Sequence, residues 1–396
     1  MAINFSKKRR EALRETYRKW WAGELKRPIA GVTLINRDPG RARPPAPVLS
    51  QRTCLDFQWS AEEIIDRLDY ELCRQTYLGD AFPFVNLDCF GPGVASAFMG
   101  ARADNSTGGV WFEPVEEVPI SKLHLEYDAL NPMLLRIKDI CRAAVKRWEN
   151  RVVVGMADLG GTLDILQIFR PGEKLLLDFY DYPEEVHRLS WEIHHLWHRY
   201  YSELHEILQE KGMGYSDWSG IYSDKPFYTL QCDISYMIST DMFREFALSE
   251  IEASVNRLGR SVYHLDGTGA LKHLDTVLSM NNLSCVQWIP GDGNPTWGQW
   301  PDVYRKISGS GKKIQSMGSP VDDLLKIVIQ TGKPGLIQHN AFLMEKSKSK
   351  EIVIEGDRVL VPSSMVILIR VFFALYRPVI AVLRFVICIR HLLGKK

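Results

Sequence analysis

Ser261-Val262-Tyr263-His264-Leu265-Asp266-Gly267 runs from a short apolar strand into a polar turn that ends in glycine. The chain then repeats the move. Residues 270–279 carry apolar side chains at helical spacing, and Cys285-Val286-Gln287-Trp288-Ile289 is a second short strand, closed by Pro290 and Gly291. A β-branched run, an amphipathic helix and another such run predict parallel strands joined by helical crossovers. The same alternation extends upstream. A helix over 131–150 leads to a strand over 152–156, a helix over 183–211 leads to the segment 212–218, and extended residues 228–233 precede a helix over 239–258. Downstream come a helix over 297–308, a strand over 313–316, a helix over 321–331 and a strand over 335–338. So many consecutive units favour an α/β fold closed into a (β/α)8 TIM barrel over an open doubly wound sheet.

The N-terminal part adds to that frame. Residues 6–23 read as a charged helix whose apolar side chains are Leu13, Tyr17, Trp20 and Trp21. Residues 29–35 look like a buried strand, and 37–50, rich in Pro, Arg and Gly, like a loop. Ser60 with Glu63 three residues on has the form of a capping box opening a helix to about residue 77. Residues 80–120 are irregular and aromatic, and are expected as loops and short strands over one end of the domain. The expected organisation is a single barrel over 1–340 with N-terminal helical and loop additions. A C-terminal extension over 341–396 follows, a hairpin-like segment and then an apolar helix striped with arginine.

Bulk composition narrows the function classes. Of 396 residues, 45% are hydrophobic and 24% charged, ordinary for a globular chain with a large core. Forty-nine basic residues stand against 48 acidic ones, for a net charge of +1. That balance argues against nucleic acid as a partner, because phosphate neutralisation needs a clustered basic excess. The seven cysteines are scattered and form no CxxC, so neither a disulfide framework nor a thiolate zinc cluster is expected. With no apolar h-region in Met1-Ala2-Ile3-Asn4-Phe5-Ser6-Lys7, the expected location is the cytoplasm.

In a parallel α/β fold the residues just past the strand ends gather on one face. Here those ends carry Asp158, Asp217, Trp218, Asp233, His264, Asp266, Gln287, Trp288, Ser316 and His339. Polar residues at nearly every strand end predict an enzyme acting on a small molecule. His264 and Asp266 lie two apart and share one side of a continuing strand. They suit metal ligation or a general base with its orienting acid; the plainer alternative is a hydrogen-bonded pair that shapes the turn at Gly267. Asp217 and Asp233 fit substrate or metal binding, or simple loop capping. Gln287 and Trp288 fit contact with a flat or methylated ligand, although Trp288 also fits core packing. His273 and Asp275 sit in a helical pattern and are expected to cap or pair at the surface. Gly291-Asp292-Gly293 lacks the third glycine or the following Lys-Ser/Thr of a phosphate loop.

Two further stretches stand out. His187, His194, His198 and His205 fall on one face of a helix, apart from Leu189, Ile193, Leu196, Leu204 and Ile207. That histidine face is expected as a flank or a dimer surface and not as a metal site. Residues 365–393 are apolar, with arginines at 370, 377, 384 and 390. The stripe fits a helix lying on a membrane surface, a packed terminal helix, or a segment foreign to the fold.

The ordered set Asp233, Ser239-Thr240-Asp241-Met242-Phe243-Arg244-Glu245-Phe246, His264-Leu265-Asp266-Gly267 and Gln287-Trp288-Ile289-Pro290-Gly291 resembles the uroporphyrinogen decarboxylase superfamily. That superfamily includes methyltransferases acting on corrinoid proteins, and the layout is most similar to a branch of bacterial paralogues. The resemblance covers about half the chain and implies a (β/α)8 barrel, often a homodimer. It implies methyl transfer to or from a corrinoid carried by a partner protein, with His264 and Asp266 catalytic and holding zinc. Asp158, Asp217, Trp218, Asp233, Gln287 and Trp288 would bind substrate. Where decarboxylases carry an Arg-Gln-Ala-Gly-Arg loop, this chain has Ile35-Asn36-Arg37-Asp38-Pro39-Gly40-Arg41, so Arg37 and Arg41 stand in for it and Arg37 joins the substrate-binding set. Where the methyltransferases carry His-x-Cys and a later Cys, this chain has His264-x-Asp266 and then Ser316, Met317 and Gly318. Two alternatives accompany methyl transfer. One is cofactor-free decarboxylation of a porphyrinogen-like polyacid, with Asp88 as the carboxylate. The other is a barrel that binds a ligand without catalysis, at a membrane through the tail.

Overall fold

The repeated strand–helix units form a mixed α/β structure with parallel strand pairs. The structure is a computed structural model and describes residues 2–345, 349–354 and 357–362. The apolar, arginine-striped stretch over 365–393 lies outside the described residues. Two compact units divide the chain: Met1–Ala42 with Asp69–Pro83 and Pro295–Lys396, and Arg43–Leu68 with Phe84–Asn294.

The second, larger unit holds most of the parallel pairing. Phe84–Asn86 pairs parallel with Val153–Gly155, and Met156 bridges in parallel to Asp217. Phe227–Leu230, Arg260–Asp266 and Cys285–Ile289 then run side by side, all parallel. Helices alternate with these strands. Asn131 caps Pro132–Trp148 by accepting from the N–H groups of Met133 and Leu134, a contact worth about 1 kcal/mol. Pro at the first helical position opens both that helix and the long Pro183–Gln209. The capping box also forms: Ser60 N–H donates to the Glu63 carboxylate and Glu63 N–H to Ser60 Oγ. Trp148, Phe90, Tyr200, Tyr228 and Trp288 are fully buried.

In the first unit, Lys7–Trp21 buries Leu13, Tyr17, Trp20 and Trp21, the four residues its pattern singled out. Gly31–Ile35 pairs antiparallel with Gln75–Gly79 and parallel with Phe342–Glu345. Lys313–Ser316 pairs parallel with Ile337–His339. Ser349–Ile354 and Asp357–Pro362 make an antiparallel hairpin.

Four local expectations change. The helix opened by Ser60 ends at Cys73, and residues 75–79 form a strand, because Tyr77 is claimed by pairing with Thr33. A helix not foreseen, Thr162–Phe169, follows the glycine pair Gly160-Gly161, while the stretch 80–120 contributes the expected short strands, Phe84–Asn86 among them. The predicted helix over 239–258 is interrupted by a π-helical turn at Arg244–Leu248. The histidine face of Pro183–Gln209 is not an open flank: His194, His198 and His205 are buried. His194 Nδ1 lies 2.9 Å from Glu250 Oε1 and His198 Nε2 3.0 Å from Ser254 Oγ, both on the helix Ser249–Arg257. Polar groups could be buried there because each of those two histidines meets a partner across the seam. Among the described residues no helix is long and apolar enough to cross a membrane.

Candidate functional site

Arg260–Asp266 is the strand on which the site is built. Its register sets His264 opposite Gln287, Leu265 opposite Trp288 and Asp266 opposite Ile289. Side chains alternate across a strand, so His264 and Asp266 share one face with Gln287 while Leu265 and Trp288 point the other way into the core. Gly267 ends the strand at φ +74°, a left-handed conformation that glycine adopts without steric cost. Its N–H donates to Ile289 O at 2.9 Å, which anchors the turn.

The next parallel strand, Phe227–Leu230, continues through Gln231 and Cys232 into a single 3-10 turn, Asp233–Tyr236. That turn brings Asp233 to the pair on the neighbouring strand. One ligating atom from each of Asp233, His264 and Asp266 lies within 4.8 Å of the other two. Behind them, Gln287 Oε1 hydrogen-bonds His264 Nδ1. An imidazole whose Nδ1–H donates to an amide oxygen keeps Nε2 as its basic nitrogen, available to a proton or a metal. Trp218 stands edge-on to the imidazole, with ring centroids 5.2 Å apart.

The 3-10 turn is held at both ends. At its start, Asp164 accepts from Asp233 N–H at 3.0 Å and from Ile234 N–H at 2.8 Å. At its end, His273 Nε2 lies 2.8 Å from Ser235 O, and Lys272 Nζ donates to Tyr236 O at 3.1 Å. His273 is therefore a buried anchor stacked on Phe243, not a surface or capping residue. Gly161 makes the first contact feasible, since a Cβ there would come within 2.2 Å of Gln231 O and 2.4 Å of Asp164 Oδ2.

Burial and mutual repulsion raise the carboxylates of this region. Burial, then the charge of Asp233, pushes Asp164 up to about 7. Asp233 is also pushed to about 7 by enclosure in the surrounding protein and then by Asp266, although its surface opens to water, which works against the first effect. Asp158 is driven well above the ordinary carboxylate range by burial, despite a hydrogen bond from Gly160 N–H, with Asp233, Asp217 and Asp164 as repelling neighbours. Burial pushes the His264 imidazole down, against the pull of Asp266. Acids poised near neutrality beside a neutral imidazole suit proton transfer as well as ligation.

The remaining expected residues take other positions. Asp217 is fully buried, and both its oxygens are engaged: Ser219 N–H and Oγ donate to one, Thr229 N–H to the other. It ties its loop to the strand Phe227–Leu230, and burial raises it to about 6. Trp218 is buried and its carbonyl accepts from Asn86 Nδ2 at 3.0 Å. Trp288 is core, and Gln287 supports His264 from a fully buried position. Asp88 is an exposed residue on a 3-10 turn. Arg37, Ser316 and His339 belong to the first unit. There Arg37 N–H donates to Arg74 O, Ser316 Oγ lies 2.6 Å from Ser319 Oγ, and His339 Nε2 lies 2.8 Å from Ser319 O. Asp164 and the buried role of Gln287 were not evident from the sequence; the glycine pair before Asp164 was the one local signal.

The arrangement is that of an α/β protein with an acid–imidazole centre at the ends of parallel strands. No family model matches the chain, and no curated protein matches it. Among solved structures it is similar to the methyltransferase from Methanosarcina mazei, with a TM-score of 0.53 at 10% sequence identity, over 84% of this chain and 93% of that one. At that identity the likeness is one of fold.

Proposed function

We propose that this protein is an enzyme related in fold to corrinoid-dependent methyltransferases, its strands arranged as a (β/α)8 barrel, and that Asp233, His264 and Asp266 hold a zinc ion at its centre. The observation that carries this reading is the convergence of one imidazole and two carboxylates within 4.8 Å. Three protein ligands with an open position are the usual composition of a catalytic zinc site, and zinc accepts nitrogen and carboxylate oxygen. Gln287 behind His264 supplies the kind of supporting hydrogen bond that metal-ligating histidines make. When bound, zinc would supply Lewis acidity that makes a substrate thiol or water nucleophilic. The chain's own residues would present Nε2 of His264, fix Asp233 from behind and keep proton-holding acids nearby. The likeness in fold to a methyltransferase supports methyl transfer between a small molecule and a corrinoid carried by a partner as the reaction. The group of possible ligands contains no thiol among the described residues, so the donor set is harder than that of a thiolate site.

Elemental analysis of the purified protein tests the metal. Stoichiometric zinc in the wild type, lost in His264→Ala and reduced in Asp233→Ala variants with native circular dichroism, is the expected result. Folded wild type that stays zinc-free after dialysis against zinc would overturn it. Thiol-dependent demethylation of a methyl-corrinoid, followed by visible absorption, tests the reaction; no turnover by zinc-loaded protein would overturn methyl transfer while leaving the metal site standing.

A further inference from the structure

The expected ligand set accounts for Asp233, His264 and Asp266, but not for the half-buried carboxylate behind them. Asp164 belongs to the helix Thr162–Phe169, nearly seventy residues before Asp233, and both of its oxygens are spent on the backbone of the 3-10 turn. The first N–H groups of a helical turn have no partner within the turn itself. Asp164 satisfies two of them from another element. The approach is close enough that residue 161 has to be glycine, for space and not for conformation: its φ of −80° is open to any residue. A carboxylate on two N–H groups fixes an orientation, because two parallel hydrogen bonds leave the peptide plane little freedom to rotate.

From this geometry we infer that Asp164 is a positioning residue for Asp233, resting on the metal reading above: it sets the backbone at residues 233 and 234 and so aims the Asp233 carboxylate at His264 and Asp266. His273 and Lys272 hold the far end of the turn through the carbonyls of Ser235 and Tyr236. Without Asp164 the turn would stay attached at its end but lose its alignment at its start, where the ligand is. Its hydrogen bonds act on the turn alone; on the strand Arg260–Asp266 it acts only through its charge near His264, which changes no ligand position.

Cobalt(II) titration of the zinc-free protein, read by its visible absorption, separates positioning from general support. Asp164→Ala is expected to weaken cobalt binding by about 10–100-fold and to give the spectrum of Asp233→Ala. Asp164→Ala combined with Asp233→Ala should weaken it no further. Asp164→Asn, which keeps one oxygen acceptor, should fall between wild type and the alanine variant, and it is the variant to read if alanine does not fold. Unchanged affinity and spectrum in a folded Asp164→Ala protein would overturn the inference. So would additive losses in the double variant. If the wild type binds no cobalt, it is the metal reading that fails, and positioning is then decided by the crystal structure of the Asp164 variant. A displaced Asp233 carboxylate would support it, and one unmoved beside His264 would overturn it.

Discussion

His264 and Gln287 face each other across two adjacent parallel strands, and the Gln287 side-chain oxygen hydrogen-bonds His264 Nδ1. The strand pairing therefore chooses which imidazole nitrogen faces the site. Replacing Gln287 by leucine keeps the volume near that of the native side chain but removes the acceptor. We expect zinc affinity to fall about 10–100-fold, as for loss of a supporting hydrogen bond in other metal sites, with circular dichroism unchanged. Competition with a chromophoric chelator measures it, and native affinity would show that the pair does not act on Nε2.

Gly161→Ala tests the close approach beside Asp164. The added methyl would lie 2.2 Å from Gln231 O, a backbone atom that cannot swing away. Overpacking of this kind costs about 1–3 kcal/mol, to be read as a lowered urea midpoint. A native midpoint would contradict the contact.

The histidine seam makes stability depend on pH. Burial holds His198 and His205 down to about 3, so both are neutral in the folded state. Unfolded histidine titrates near 6.5, so below that pH the unfolded chain binds more protons and folding weakens. Between pH 7 and 5 each should cost about 2 kcal/mol, with little further change expected once the pH falls below about 3. His205 packs between Tyr201 and Tyr215, and neither of its nitrogens has a hydrogen-bond partner among the described residues. His205→Leu should therefore flatten the fall in urea midpoint from pH 7 to 5; an unchanged slope would show that His205 is not held neutral.

Arg170 and Asp178 form a buried two-point ion pair, with Nη2 to Oδ1 at 2.9 Å, and Arg170 Nη1 also donates to Val118 O at 2.8 Å. Removing one partner leaves a buried charge alone. Asp178→Ala should destabilise by about 3–5 kcal/mol, and the paired replacement Arg170→Met with Asp178→Leu by less than either single change. Chemical denaturation of the three variants checks this, and additive losses would show that the pair is not coupled.

The sequence by itself determined what depends on neighbours along the chain. The four buried residues of Lys7–Trp21, the Ser60–Glu63 box, the helix Pro132–Trp148 and the strands Cys285–Ile289 and Lys313–Ser316 follow from periodicity and capping, which act over one or two turns. The strand-end position of His264 and Asp266, two residues apart on one face, was legible for the same reason. Tertiary structure alone decided the rest. Whether residues 75–79 continue a helix or form a strand depended on a partner some forty residues away. That the histidine side of Pro183–Gln209 is buried along with its apolar side depended on Glu250 and Ser254 across the seam. Gln287 became the support of His264, and Asp164 the clamp on Asp233, through hydrogen bonds spanning 23 and 69 residues. Local pattern encodes which face of an element is apolar. Which polar group meets which is set only when the strands take their register and the helices dock, because a buried polar group is tolerated where a distant partner happens to satisfy it.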